Sequence, residues 1–177
     1  MTKNIVLIGF MGTGKTSTGQ LLAARLGKTF LDMDQKIEAE MQMPIPEIFH
    51  RYGEEYFRDL ETNLAQRLRK PQNIVIATGG GTVKRAQNLQ ALRAGGIIVT
   101  LHANAETILR RTKQVGERPV LDREGVDDRK GAILALLKER AKLYANADFQ
   151  MDTSALEPLD VVEEILTFLR REGHFDA

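Results

Sequence analysis

The chain has 177 residues, of which 42% are hydrophobic and 28% charged, as in one globular domain with a buried core. Its 25 basic and 24 acidic residues leave a net charge of +1, which gives no reason to expect binding to nucleic acid. The absence of cysteine excludes disulfides and thiolate chemistry. Because we find neither a signal peptide nor an apolar run of about 20 residues, we expect a cytoplasmic protein without membrane partners.

Short apolar runs alternate with longer stretches of helical periodicity. We predict strands over 4–9, 28–34, 73–81, 96–103 and 148–153. We predict helices over 15–27, 34–70, 83–95, 105–112, 129–147 and 158–171. The helical region after the second strand breaks near Pro44–Pro46 and again at Tyr52 and Gly53. Strands that alternate with helices imply parallel crossovers, and ligands bind beyond the carboxyl ends of such strands.

The first strand leads into "GFMGTGKT", Gly9 to Thr16, which fits the phosphate-loop pattern G-x-x-x-x-G-K-[ST]. Glycines let main-chain N–H groups surround an anion at the start of a helix. Lys15 would reach the outer phosphates, and the Thr16 hydroxyl would bind Mg²⁺. A glycine turn without a ligand is the alternative, but the flanking strand and helix favour nucleoside triphosphate binding. Gly19, farther along, lets the helix pack closely on the sheet.

The second strand ends in "LDMD", Leu31 to Asp34. If the strand continues that far, its alternation points Asp32 and Asp34 the same way. One carboxylate would bind the metal, directly or through water. The other would accept a hydrogen bond from the substrate hydroxyl that receives the phosphate. The alternative is that Asp34 only caps the following helix.

In the helical region that follows, "FRDLE" places Arg58 and Glu61 three residues apart. Spacing alone favours a surface ion pair of little energetic weight. The competing hypothesis is an arginine that a carboxylate orients toward an anionic substrate. Phe49 and Phe57 are predicted core residues that could also form the wall of a pocket.

The third strand ends in "TGGGT", Thr78 to Thr82. Three consecutive glycines suit a ligand that comes close to main-chain N–H groups, with a tight turn as the alternative. Thr78 is a candidate neighbour of the phosphates.

Three further arginines are candidates with ordinary alternatives. Arg118 lies in a loop, 116–125, that could close over a nucleotide and exclude water, or could simply be solvated. Arg111 could stack on adenine, although a helix-surface arginine is the commoner case. Arg140 lies on a charged helix face that we expect to be mostly solvated. The histidines lack metal-ligand spacing, so we assign them no role.

Together these motifs resemble those of shikimate kinases over essentially the whole chain. The resemblance is carried, in order, by "GFMGTGKT", "LDMD", "FRDLE", "TGGGT", "ERPVL" and the "ER…LY…AD" run over 139–148. Many families share the phosphate loop, whereas the combination of Asp34, Arg58 and the triplet Gly79–Gly81 is far more specific.

The resemblance implies a fold and an activity. The fold would be a single α/β domain over 1–177, a three-layer sandwich of the P-loop nucleoside monophosphate kinase type. Its five-stranded parallel sheet would have the order 2-3-1-4-5, with helices on both faces. A substrate-binding region is implied at about 33–61 and a lid at about 113–125. The activity would be phosphorylation of the 3-hydroxyl of shikimate by ATP with Mg²⁺, in the pathway to chorismate and aromatic amino acids, by a monomer.

The resemblance also implies residue roles. ATP-binding residues would be Gly12, Thr13, Gly14, Lys15, Thr16, Ser17, Arg111 and Arg118. Shikimate-binding residues would be Asp34, Arg58, Gly79, Gly80, Gly81 and Arg140. Catalytic residues would be Lys15, Asp34 and Arg118. Thr16 would bind Mg²⁺ directly and Asp32 would do so through water, while Glu61 would orient Arg58. Some relatives place a second arginine after the fifth strand, where this chain has "DTSALEP", so main chain would hold the adenine on that side.

Two alternatives stay open. A kinase for another polyol acid, such as gluconate, would share the phosphate loop without needing Arg58 and Arg140 aimed at a ring carboxylate. A nucleotide-binding regulator without catalysis would be expected to lack Lys15, Asp34 or Arg118, yet all three are present.

Overall fold

Five parallel strands form the sheet that organises the residues described by the computed structural model, 3–113 and 128–174. The strands are β1 Asn4–Ile8, β2 Thr29–Asp32, β3 Ile74–Ala77, β4 Gly96–His102 and β5 Phe149–Asp152. Their order is β2-β3-β1-β4-β5, and each neighbouring pair is parallel. The predicted sheet order is therefore confirmed.

Helices connect these strands. The helices of the described residues are α1 Lys15–Leu26, α2 Met33–Met41, α3 Ile45–Tyr52, α4 Glu54–Arg67, α5 Ala86–Gly95, α6 Ala105–Thr112, α7 Arg129–Ala145 and α8 Pro158–Arg171. A 3₁₀ turn, Thr82–Lys84, precedes α5. Both predicted breaks in the long helical region are confirmed, because α2, α3 and α4 are separate helices. None of the described helices has the length and apolar character needed to cross a membrane.

The predicted end of the second strand is wrong by two residues. β2 ends at Asp32, whose carboxylate accepts a hydrogen bond from the Gln35 N–H at 3.1 Å and so caps α2. A short acidic side chain that caps a helix stops the strand at that point. Asp34 is therefore neither the cap nor a strand residue; it lies in the first turn of α2.

The sheet is buried on both faces. In β1, Ile5 and Leu7 join a core cluster with α1 and α8, whereas Val6 and Ile8 join a second cluster with residues of α2 to α7. Continuous apolar strands of this kind are typical of parallel sheets covered by helices. The alternation along β1 confirms the three-layer architecture.

Gly19 lets α1 approach the sheet, as predicted. A Cβ atom at this position would lie 2.5 Å from Cε2 of Phe30 in β2 and 3.4 Å from Cδ1 of Leu7 in β1. Since real Cβ atoms do not approach a ring carbon this closely, glycine is required for this packing.

Candidate active site

A cleft of about 580 Å³ opens at the carboxyl ends of β1, β2 and β3. This volume is within the range of small-molecule sites. Twelve of the predicted site residues line it, namely Gly12, Gly14, Lys15, Thr16, Ser17, Asp32, Asp34, Arg58, Gly79, Gly80, Gly81 and Arg140. Residues at the carboxyl ends of these three strands therefore meet in one cleft, whereas the segment after Thr153, at the end of β5, does not line it.

The loop between β1 and α1 has the backbone of an anion cradle. Gly12 and Gly14 have φ values of +77° and +93°, in the left-handed region that only glycine adopts readily. Gly14 precedes the first residue of α1 and has no side chain to cap the helix. The N–H groups of the first turn, with the helix dipole behind them, therefore suit a bound anion.

Lys15 is buried at the base of this loop. Its Nζ donates hydrogen bonds to the carbonyls of Gly9 and Phe10, each at 2.8 Å. These contacts curve the loop around the ammonium group of Lys15 and hold its positive charge in the wall of the cleft. The cation is thus placed where an anionic ligand of the loop would gain from it.

Thr16 and Asp32 place two oxygen groups beside the loop. The Thr16 hydroxyl donates to Oδ2 of Asp32 at 2.8 Å, and both residues line the cleft. Mg²⁺ prefers oxygen ligands, keeps several waters and takes few protein groups. The described residues hold no cluster of three or more His, Cys, Asp or Glu side chains suited to a metal. The donor set therefore fits Mg²⁺.

Arg58 is a buried side chain, so the interpretation as a surface ion pair is wrong. It is 5% exposed, and its Nη1 donates to Glu61 at 2.5 Å while its Nη2 donates to Glu54 at 3.2 Å. Burial by itself would lower the pKa of Arg58, but Glu61 and Glu54 outweigh it and the pKa is raised. The guanidinium therefore stays charged and is held in one orientation.

Glu61 connects Arg58 to the glycine-rich turn after β3. Its side chain is fully buried, and its second oxygen accepts a hydrogen bond from the Thr82 hydroxyl at 2.5 Å. A carboxylate with partners on both oxygens cannot rotate freely, so the orientation of Arg58 is fixed from two elements.

The triplet Gly79–Gly81 lets charged side chains reach the main chain. A Cβ atom on Gly79 would lie 2.7 Å from Oδ1 of Asp34, and one on Gly81 would lie 2.5 Å from Nη1 of Arg58. Neither glycine has a positive φ, so close approach rather than backbone conformation requires them. The triplet thus places Asp34 and Arg58 against one surface of the cleft.

Arg140 is the buried exception on a helix face whose neighbouring charges, Lys138, Glu139 and Lys142, are exposed as expected. It is 1% exposed, lines the cleft and donates from Nη1 to the Gly80 carbonyl at 3.1 Å. Its Nε and Nη2 atoms are buried with no hydrogen-bond partner among the described residues. A buried guanidinium with unused donors is a strong site for a carboxylate or phosphate.

Among the described residues, two predicted ATP-site residues, Thr13 and Arg111, do not line the cleft. Thr13 is buried and donates to the Phe10 carbonyl at 2.8 Å, inside the loop. Arg111 donates to the carbonyls of Gly12 at 3.1 Å and Thr153 at 3.0 Å, and so ties the loop to the end of β5. Arg118 and most of the predicted lid lie outside the described residues.

Glu38 also lines the cleft, although no role was assigned to it from the sequence. Glu38 accepts a hydrogen bond from the Ile45 N–H at 3.0 Å and closes the turn between α2 and α3. It follows Asp34 by four residues, so helical spacing could have placed both on one face. Phe49 and Phe57 line the cleft with ring centroids 5.1 Å apart, which confirms the pocket-wall alternative.

A phosphate-binding loop after the first strand of a parallel 2-3-1-4-5 sheet defines a P-loop kinase of the nucleoside monophosphate kinase type. The model of the shikimate kinase family matches residues 11–170. The chain therefore belongs to the shikimate kinase family, a family of ATP-dependent kinases.

Comparisons with individual proteins agree with this family. The chain is 46% identical to the shikimate kinase of Thermodesulfovibrio yellowstonii over 93% of both chains. It is 45% identical to that of Geobacter sulfurreducens, covering 95% of this chain and 91% of the relative. The solved structure of shikimate kinase from Acinetobacter baumannii in complex with shikimate has a TM-score of 0.92 and 36% identity, covering 97% of this chain and 95% of the other. A gluconokinase from Sinorhizobium meliloti, at 18% identity and a TM-score of 0.62, shares the fold alone.

Proposed function

We propose that this chain transfers the γ-phosphate of ATP to the 3-hydroxyl of shikimate, giving shikimate 3-phosphate and ADP on the route to chorismate. Membership of the shikimate kinase family supports this reaction. The observation that carries it is the buried Arg140, which lines the same cleft as the phosphate loop and whose Nε and Nη2 have no hydrogen-bond partner among the described residues. A cleft with a phosphate cradle and a separate buried cation suits a small acceptor that is itself an anion.

The two arginines would bind the carboxylate of shikimate. The protein carries a net charge of only +1, so local cations rather than overall charge must hold an anionic substrate. Arg140 has free donors for a bidentate contact, and Arg58 is oriented by Glu61. Phe49 and Phe57 would border the ring of the substrate.

Asp34 would act on the reacting hydroxyl. Its carboxylate lines the cleft, and a Cβ atom on Gly79 would lie 2.7 Å from its Oδ1. Gly79 is the first residue of the triplet, which packs on the phosphate loop through Gly80. From there Asp34 would accept the hydrogen bond of the 3-hydroxyl, orient its oxygen toward the γ-phosphate and take up its proton.

The phosphate loop would hold the β- and γ-phosphates through its N–H groups, and Lys15 would stabilise the charge on the transferring group. Thr16 and Asp32 would hold Mg²⁺, which neutralises charge on the phosphates when it is bound. A contribution from Arg118, an adenine contact from Arg111, a monomeric state and a cytoplasmic location stay predictions of the sequence.

An ADP-release assay tests the proposal. Purified protein with Mg-ATP should form ADP in proportion to added shikimate, and gluconate should be a poor acceptor. Lys15→Met is the inactive control, because it keeps a chain of similar length but removes the cation beside the phosphates. ADP release without an acceptor, or a preference for gluconate, would contradict the assignment.

A further inference from the structure

Tyr144 is a buried titratable residue to which the proposed reaction gives no role. It lies on α7 one turn after Arg140 and is 2% exposed. Its hydroxyl donates to the Gly80 carbonyl at 2.5 Å, and Arg140 donates to the same oxygen at 3.1 Å. Burial raises the pKa of the phenol and the nearby Arg140 offsets this only in part, so Tyr144 stays protonated at neutral pH and can donate.

The shared acceptor, Gly80, is the middle residue of the triplet. A Cβ atom there would lie 3.1 Å from the main-chain nitrogen of Met11, so this turn packs directly on the phosphate loop. The Gly80 carbonyl is the acceptor that the structure gives to the Arg140 guanidinium, since Nε and Nη2 have none among the described residues. The position of the Gly80 carbonyl therefore determines the position of the Arg140 guanidinium.

Tyr144 is itself held firmly. Its own carbonyl accepts a hydrogen bond from the Thr100 hydroxyl at 2.6 Å, which ties the end of α7 to β4 in the sheet. Its ring is part of the core cluster on that face. The phenol is thus a fixed donor on a rigid element, whereas the arginine side chain has many rotamers to lose on binding.

We propose that Tyr144 is a positioning residue for the carboxylate of the acceptor: it fixes the Gly80 carbonyl, which in turn holds the Arg140 guanidinium with its remaining donors in the cleft. This inference rests on the proposed function, because it assumes that Arg140 binds the substrate. It assigns Tyr144 no contact with the reacting atoms, so its loss should affect acceptor binding more than the chemical step.

Steady-state kinetics of Tyr144→Phe test the inference, because this change removes the donor and keeps the ring. The KM for shikimate should rise about three- to tenfold, the effect of one lost hydrogen bond. The kcat and the KM for ATP should change by less than about twofold. Tyr52→Phe is the matched control: Tyr52 is 48% exposed and stacks on Tyr56, and its loss should change none of these constants. An unchanged shikimate KM, or equal changes in all three constants, overturns the inference.

A double-mutant cycle separates positioning of Arg140 from general loosening of the cleft. In an Arg140→Ala background, Tyr144→Phe should lower kcat/KM for shikimate by less than about twofold, since no guanidinium is left to position. Additive losses overturn the inference. Wild-type protein without shikimate-dependent turnover would refute the proposed function itself, whereas an active wild type with an insensitive Tyr144→Phe refutes only the role of Tyr144.

Discussion

At the scale of single residues, the two buried arginines of the cleft differ in how their charge is balanced. Within the described part of the chain, Arg58 is paired with Glu61 and Glu54, whereas Arg140 donates to a carbonyl and has no partner for Nε and Nη2. A buried cation without a carboxylate partner gains more from an incoming anion than one that is already paired. We therefore propose that Arg140 is the main determinant of carboxylate binding and that Arg58 supplements it.

Replacing each arginine should separate these roles. Arg140→Ala should raise the KM for shikimate about 10- to 100-fold, the loss expected for a charge-assisted contact, with a much smaller change for ATP. It leaves no carboxylate unpaired, so the unfolding temperature should change little. Arg58→Ala should also raise the shikimate KM more than the ATP KM, but it leaves Glu61 buried without its cation and should destabilise the fold by about 3–5 kcal/mol.

Kinetics and thermal unfolding of the two variants check this contrast. If Arg58→Ala raised the KM for ATP more than that for shikimate, the arginine would belong to the nucleotide site instead. Equal unfolding temperatures for both variants would show that the Arg58–Glu61 pair does not matter to the fold.

If Asp34 takes up the proton of the acceptor hydroxyl, as proposed, the chemical step depends on its carboxylate. Asp34→Asn keeps the size of the side chain and removes its ability to take a proton, so kcat should fall by about 10²- to 10⁴-fold. The KM for shikimate should change less, because the amide still accepts a hydrogen bond from the hydroxyl. Asp59→Asn, an exposed change on α4, is the matched control. An unchanged kcat would remove Asp34 from the chemistry.

At the scale of elements, two glycines have different tasks. Gly79 gives room to Asp34 in the cleft, and Gly19 gives room to Phe30 between α1 and the sheet. Gly79→Ala should therefore reduce turnover strongly. It should also cost some stability, because the added Cβ would lie 3.0 Å from Oε2 of the buried Glu61. Gly19→Ala should lower the free energy of unfolding by about 1–3 kcal/mol, as overpacking does, and keep most of the activity.

Activity assays and denaturant unfolding of the two glycine variants distinguish these tasks. A fully active Gly79→Ala, or an inactive but stable Gly19→Ala, would show that the close approaches seen here do not decide these properties.

Glu54 links the start of α4 to the turn after β3 and should make stability depend on pH. Burial by itself raises the pKa of its carboxyl, but Lys84 and Arg58 outweigh burial and the pKa is lowered from its ordinary value of 4.5. A lowered pKa in the folded state contributes stability above the unfolded value, and this stability is lost as the pH falls through the folded value. Glu54→Gln should therefore be less stable than wild type at pH 7, and the difference should shrink below about pH 4.5.

Unfolding by denaturant across this pH range measures the difference, with Glu139→Gln, an exposed change on α7, as the control. A difference that stayed constant or grew on acidification would show that the ion pairs of Glu54 do not stabilise the fold.

The order of the elements was readable from the sequence, but part of the site was not. Apolar runs identify the strands, and closely spaced glycines identify the phosphate loop. Both signals depend only on residues that are close together in the sequence. The end of β2 was misplaced because Asp32 caps α2, a competition between strand and cap that alternation alone does not show. Helix periodicity alone placed Arg140 on a charged face, and only the family resemblance indicated a site residue, because its contact with Gly80 joins positions 60 residues apart in the chain.

At the scale of the whole molecule, sheet order brings the parts of the site together. β3 pairs with β1 on one side and β2 on the other, and Ala77 at its end is in register with both Leu7 and Asp32. The glycine triplet that follows therefore emerges between the phosphate loop and the segment that carries Asp34. Phosphate donor and hydroxyl acceptor are thus brought to adjacent strand ends by topology rather than by any single motif.

The central claim is that the protein phosphorylates the 3-hydroxyl of shikimate, and identification of the product tests it most directly. Phosphorus and proton NMR after incubation with Mg-ATP and shikimate should show shikimate phosphorylated at the 3-oxygen alone, formed in step with ADP. Phosphate on another hydroxyl, or ADP and inorganic phosphate beside unmodified shikimate, would contradict the account.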